Sequence, residues 1–251
     1  MYILANWKNS LSLEDSKGLA DGLYSRFIQQ YDNINIVLFP DDVSIATVSL
    51  IFDSVSMVSV GAQDGPLGAN TTLTGSISLS NLGKFCDYVL LGHSERRITL
   101  GETNEMIARK ATLAIDVGVI PVICVNKEDG TEIDPHSGLK AQLESILNHI
   151  DSKTKFVIAY EPIDAIGTGI SADPKEVKKI AGIIHETIFL SRKVKGSPHI
   201  PVLYGGSIND KNIKSFLSLE GIDGVLIGSA GLTADNFLRI IEKASDSQYL
   251  K

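Results

Sequence analysis

Eight short apolar runs, each followed by a longer amphipathic stretch, constrain this chain more than any other feature of its sequence. They fall at residues 2–7, 34–39, 57–61, 88–91, 119–125, 156–160, 200–204 and 224–227. They are rich in Val, Ile and Leu and do not alternate with polar residues, which is how a parallel strand reads when both of its faces are covered. The stretches between them carry helical spacing. Residues 13–30 place Leu19, Leu23, Phe27 and Ile28 near one helical face, and residues 103–116 and 173–190 behave likewise. Before the last of these, Asp173 is a good N-cap, and Pro174 occupies the first helical position. Strand–helix alternation eight times over in 251 residues favours a (β/α)8 barrel, with residues 1–251 as one domain. A doubly wound open sheet is the other architecture this pattern allows. Pro121 and Pro201 would be out of place inside a central strand, but both fall near the start of their runs.

Charge and composition narrow the function classes. With 43% hydrophobic residues the chain can bury a full core. Its formal net charge of −7 argues against a nucleic-acid surface, which is normally basic. An anionic small molecule is still a reasonable partner, because a few backbone N–H groups and one lysine suffice to hold it. No apolar run approaches the ~18 residues of a bilayer span, so no membrane association is expected. The start, Met1-Tyr2-Ile3-Leu4-Ala5-Asn6, shows neither a basic segment nor a cleavable apolar stretch, and a cytoplasmic location is expected. Cys86 and Cys124 lie beside apolar residues and read as buried, reduced thiols. The five histidines are scattered and have no metal-ligand spacing, so neither metal nor cofactor is expected.

Several runs end in polar residues or glycine. The first ends in Asn6 and Lys8, the fourth in Gly92-His93-Ser94-Glu95, the sixth in Glu161-Pro162, the seventh in Gly205-Gly206-Ser207 and the eighth in Gly228-Ser229. In a parallel barrel all these ends lie on one face, and that face carries the site. A base, an electrophile, a cation and two turns able to bind an anion then share one rim. That set points to a phosphorylated small molecule.

These local sequences resemble the triosephosphate isomerase family. The matching segments are Asn6-Trp7-Lys8, Gly61-Ala62-Gln63, Gly92-His93-Ser94-Glu95-Arg96-Arg97, Gly101-Glu102-Thr103, Ala159-Tyr160-Glu161-Pro162, Ala165-Ile166-Gly167-Thr168-Gly169, Tyr204-Gly205-Gly206-Ser207, and Asp223-Gly224 leading to Gly228. They occur in the family's order from residue 5 to about residue 232. The resemblance implies isomerisation of triose phosphates through an enediolate in glycolysis and gluconeogenesis. It implies Glu161 as the base, His93 as a neutral electrophile, Lys8 as a cation oriented by Glu95, and Asn6 as a further polar contact. It implies phosphate contacts from the N–H groups of Gly167, Ser207, Gly228 and Ser229. It also implies a closing lid over Pro162-Ile163-Asp164-Ala165-Ile166-Gly167-Thr168-Gly169 and on to Ser171, which would exclude water from the enediolate. The family is typically dimeric, and Thr74-Gly75 resembles the tip of the loop that enters the partner's site.

The sequence departs from the family at the lid hinge and at the dimer face. Asp164 stands where the family usually has tryptophan, and Asn126-Lys127 where it usually has Gly-Glu. An Asp164–Lys127 ion pair is the expected substitute for the lost contact. Ser76 replaces a glutamate that commonly pairs with the arginine matching Arg96, and Asn9 replaces a larger interface residue. Ser229 stands for the family's second glycine, a change that keeps a backbone N–H. A homodimer is expected nonetheless. The remaining histidines, His136, His149, His185 and His199, read as surface or structural residues, while Ser94 and Tyr204 could either pack or touch a closed lid.

Overall fold

In a computed structural model of the chain, describing residues 1–26, 31, 33–68, 74–126, 134, 136–162, 170–192 and 197–245, eight parallel strands close into a barrel. The strands are β1 (Tyr2–Asn6), β2 (Asn35–Phe39), β3 (Val58–Ala62), β4 (Tyr88–Leu91), β5 (Ile120–Asn126), β6 (Val157–Glu161), β7 (Val202–Tyr204) and β8 (Gly224–Ile227). Each coincides with one expected run, and β3, β5 and β6 extend one residue beyond theirs. The helices among the described residues are α1 (Leu13–Tyr24), α2 (Ile45–Phe52), α3 (Leu79–Leu82), α4 (Ser94–Leu100), α5 (Asn104–Asp116), α6 (Ser137–Leu147), α7 (Pro174–Ser191), α8 (Ile213–Leu217) and α9 (Ala234–Ala244). Pairing of β1 with β8, from Tyr2 against Gly224 to Ala5 against Ile227, closes the sheet and excludes the doubly wound alternative.

Helix starts follow the capping chemistry of the sequence. Asp173 accepts a hydrogen bond from the Lys175 N–H, as expected, and Ser12 and Thr103 cap α1 and α5 in the same way. The apolar pattern extends the first helix to residue 30, but α1 ends at Tyr24. There the Ser25 hydroxyl donates to the Gly22 carbonyl, a side-chain competitor for the helical ladder. Pro121 is the second residue of β5, and Pro201 immediately precedes β7, where its carbonyl accepts from the Ile158 N–H.

The strands bury two cores. Leu4, Val37, Phe39, Leu90, Val122, Cys124, Val157, Ala159, Leu203 and Leu226 fill the barrel, with Tyr2 and Tyr88 packed against them. The alternate strand residues, such as Ile3, Ala5, Ile123 and Val125, pack outward against the helices. Phe39 fits inside only because β3 carries a glycine opposite: a Cβ on Gly61 would lie 2.3 Å from its ring. Both cysteines are free and buried, and burial pushes the Cys86 thiol up to about 12 and the Cys124 thiol well above its ordinary value. No helix among the described residues is long and apolar enough to cross a membrane.

This alternation positions the chemistry. Along β1, Asn6 continues the inward series Tyr2 and Leu4; along β6, Glu161 continues Val157 and Ala159. Both therefore project into the mouth at the C-terminal ends of the strands.

Candidate active site

A cleft of about 610 Å3 opens at that mouth. Asn6, Lys8, His93 and Glu161 line it together with Gly205, Gly206, Ser207, Gly228 and Ser229, so the expected base, electrophile and cation share one cleft with the two turns. Gly167 and the other lid residues from 163 to 169 lie outside the described residues, as does Lys127, and the Asp164–Lys127 pair with them.

Glu161 is 2% exposed. Its Oε2 accepts the Ser94 N–H at 2.9 Å, and its Oε1 lies 3.2 Å from His93 Nε2. Burial pushes its carboxyl above the ordinary carboxylate value, against the opposing pull of His93 and the Ser94 hydrogen bonds. Ser94 thus reaches the base through its backbone.

His93 caps α4, and its Nδ1 accepts the Glu95 N–H at 3.3 Å. A ring nitrogen that accepts an N–H holds its lone pair there, so the proton of the neutral ring sits on Nε2, facing Glu161 and the cleft. Gly92 makes the turn into this arrangement with φ of +69°, and a Cβ there would also meet Ile107 Cδ1 at 2.6 Å.

Lys8 adopts a left-handed backbone, φ +51°, which a side chain disfavours. It is held there from both sides. The Asn6 Oδ1 accepts the Lys8 N–H at 2.9 Å, and the Gln63 Nε2 donates to the Lys8 and Phe39 carbonyls at 2.8 and 3.0 Å. The ammonium pairs with Glu95 Oε1 at 2.5 Å. Burial raises the Glu95 carboxyl, but the Lys8 hydrogen bond, His93 and the Lys8 charge together outweigh it and hold that carboxyl below its ordinary value. Strain of this kind persists where the surroundings over-determine it, as at functional sites.

Two arginines fix α4 beneath the site. Arg97 donates to the Gly92 carbonyl at 2.7 Å, to Asn104 at 2.6 Å and to the Cys124 carbonyl at 3.0 Å. Arg96 joins Asp64 (2.6 Å) and Glu102 (2.8 Å), and the buried Lys110 ammonium joins the same two carboxylates. Outside the barrel, Tyr204 of β7 stacks on Phe216 of α8 with ring centroids 4.2 Å apart, and its hydroxyl accepts the Ala172 N–H at 2.9 Å. That bond ties the chain just beyond the expected lid to β7. At Gly228 a Cβ would meet nothing within 4 Å, so the backbone there lies open to an incoming anion.

The sequence did not single out Gln63, Asp64, Arg97 or Lys110 as parts of the site, and Cys124 read only as a core thiol. Cys124 points into the barrel from β5, the strand paired with the one that carries Glu161. His149 and His185 bond backbone carbonyls, and His199 pairs with Asp223, in keeping with structural roles. Among the described residues no cluster of three or more His, Cys, Asp or Glu could hold a metal ion.

Comparison with known proteins finds one family over nearly the whole chain. The family model described as triosephosphate isomerase matches residues 1–244. A protein of Dehalococcoides mccartyi (strain ATCC BAA-2266 / KCTC 15142 / 195) named triosephosphate isomerase is 36% identical over 255 residues, covering 98% of each chain. Those of Buchnera aphidicola subsp. Schizaphis graminum and Aquifex aeolicus, of the same name, are 36% and 32% identical, covering 98% and 95% of this chain and 97% of each relative.

Proposed function

This chain belongs to the triosephosphate isomerase family and interconverts D-glyceraldehyde 3-phosphate and dihydroxyacetone phosphate, and we propose how its own residues do so. The observation that carries the proposal is the facing pair of Glu161 Oε1 and His93 Nε2, 3.2 Å apart in a cleft. A substrate that displaces this contact presents its α-carbon to the carboxylate and its carbonyl oxygen to the imidazole N–H. Glu161 takes the proton from C1 of dihydroxyacetone phosphate as charge builds on the C2 oxygen. Hydrogen bonds from His93 and the nearby Lys8 ammonium stabilise that oxygen where the charge develops. His93 moves the hydroxyl proton between the two oxygens, and Glu161 returns the carbon proton to C2. One proton changes carbon and the redox state of the molecule is unchanged, so no electron-carrying cofactor is called for. Burial supports Glu161 in this role, because a base with a raised pKa removes a weakly acidic carbon proton more readily.

Asn6 holds the Lys8 backbone, and Glu95 orients its ammonium. The N–H groups of Ser207, Gly228 and Ser229, with that of Gly167, receive the phosphate. The segment from Pro162 to Gly169 closes over the substrate and excludes water. Residues 1–251 form one domain acting in the cytoplasm, in glycolysis and gluconeogenesis. The active form is a homodimer in which Thr74 and Gly75 enter the partner's site. Exposure of the large apolar side chains Val43, Ile98 and Leu100, on the segments that follow β2 and β4, is in keeping with that assembly.

Proton NMR of the two triose phosphates, with Glu161→Asp and Glu161→Gln beside the wild type, tests the chemistry. Loss of a positioned base is expected to lower kcat by ~10²–10⁴, and a Glu161→Gln enzyme turning over at the wild-type rate would overturn the assignment. Light scattering tests the assembly, and a fully active monomer would contradict it.

A further inference from the structure

We propose that Gln142, on α6 outside the barrel, is a positioning residue for the base, acting through the end of β5; this rests on Glu161 being that base. Strand β5 separates the two halves of the acid–base pair. On one side it pairs with β4, the strand leading to His93; on the other with β6, where Asn126 is in register with Glu161. Its last residues touch both. The Cys124 carbonyl accepts from Arg97, which also holds the Gly92 carbonyl before His93, and Asn126 pairs along β6 with Glu161 itself. Whatever fixes the end of β5 therefore fixes the strand against which Glu161 is paired.

Gln142 fixes it with a paired hydrogen bond. Its Oε1 accepts the Asn126 N–H at 2.9 Å, and its Nε2 donates to the Asn126 Oδ1 at 3.3 Å. Gln142 is fully buried and Asn126 is 4% exposed. The other buried residues of α6 are Leu139, Leu143, Ile146 and Leu147, all aliphatic. A leucine at position 142 would serve helix packing as well, and it would avoid the desolvation of an amide. The carboxamide does what leucine cannot: it holds the main chain and side chain of the last β5 residue at once. Two bonds to one residue restrict both its position and its rotation. Proton transfer is sensitive to such placement, since a shift of about 1 Å remote from the chemistry costs on the order of 10²-fold in rate.

The test compares Gln142→Leu, Gln142→Glu, Asn126→Ala and Leu143→Ala, with Glu161→Gln run alongside. For each we would measure kcat, KM, the primary deuterium isotope effect and the melting temperature. In Gln142→Leu, kcat is expected to fall about tenfold with KM within about twofold, the size of a fraction-of-an-ångström displacement, and the isotope effect to rise as proton transfer becomes limiting. Gln142→Glu, protonated by burial, offers one acceptor and one donor in the same places and should restore kcat to within about threefold. Leu143→Ala, on the same helix, should lower the melting temperature and leave kcat and the isotope effect unchanged. A Gln142→Leu enzyme with wild-type kcat, or a Leu143→Ala enzyme equally slowed, would overturn the proposal. Should Gln142→Leu fail to fold, Asn126→Ala decides: it removes one of the two bonds and should lower kcat at constant KM, and no fall refutes the idea. Full activity in Glu161→Gln would remove the premise itself, a separate result.

Discussion

Replacing Lys110 by methionine should destabilise the fold far more than loss of a surface charge would. Lys110 is 3% exposed, and its ammonium donates to both oxygens of Asp64 at 2.8 Å and to Glu102 Oε1 at 2.6 Å, which uses its three N–H groups. Arg96 is the second cation on the same carboxylates. Two positive and two negative charges balance here. Methionine fills much the same volume but leaves Asp64 and Glu102 sharing one guanidinium. Breaking a buried pair in this way costs about 3–5 kcal/mol. At roughly 2–4 °C per kcal/mol for a chain approaching this size, the melting temperature should drop by about 6–20 °C. Urea denaturation followed by circular dichroism, at fixed chain concentration because assembly contributes to apparent stability, gives the free energy directly. The double variant Lys110→Met/Glu102→Gln restores neutrality and should recover more than about 1 kcal/mol relative to the sum of the single effects. A loss in Lys110→Met below about 1 kcal/mol, the range of an exposed pair, or strict additivity in the double variant, would refute the reasoning.

Two further outcomes follow from the site geometry. Burial raises the Glu161 carboxyl, and the base must be ionised to act, so kcat/KM should fall as pH drops through that raised value, with its acid limb above the ordinary glutamate value of about 4.3; a pH–rate profile with the limb at or below that value contradicts the assignment. Gly92→Ala forces a side chain into a left-handed position and against Ile107, costing ~1–2 kcal/mol for the backbone and a further ~1–3 kcal/mol for the overpacking. It should also slow turnover by displacing His93, and a variant with wild-type stability and kcat would show that this turn tolerates a Cβ.

The barrel and the rim could be read from sequence because two-sided burial writes itself into a strand as an unbroken apolar run. Asn6 and Glu161 then stand out as polar residues where such runs stop, with His93 just beyond one, and the topology gathers those ends on one face. The end of α1 was less legible. Phe27 and Ile28 keep the helical spacing, while the Ser25 hydroxyl that competes for the backbone lies before them. The supporting residues were harder still, since Gln63, Asp64 and Arg97 reach partners as far as 55, 46 and 27 residues away in the chain, and local sequence carries no distance.

Lys110 and Gln142 nevertheless left a trace. Arg109 and Lys110 are adjacent basic residues on α5, yet Arg109 is exposed and Lys110 is buried. Helical phase separates them: Ile107, Lys110, Ala111 and Ala114 form the buried stripe. Gln142 occupies the same phase among Leu139, Leu143 and Ile146 on α6. A cation or carboxamide on the apolar stripe of an amphipathic helix must find a partner in the core, because left alone it would lose several kcal/mol of hydration. The sequence therefore implies that each has a buried partner. Which partner it is depends on how the helix docks on the barrel: Asp64 and Glu102 for Lys110, and Asn126, in register with Glu161, for Gln142. For these two helices, then, the polar residue in core phase marks where the helix is tied to the framework around the barrel mouth, and the docking of the helix decides which partner it meets.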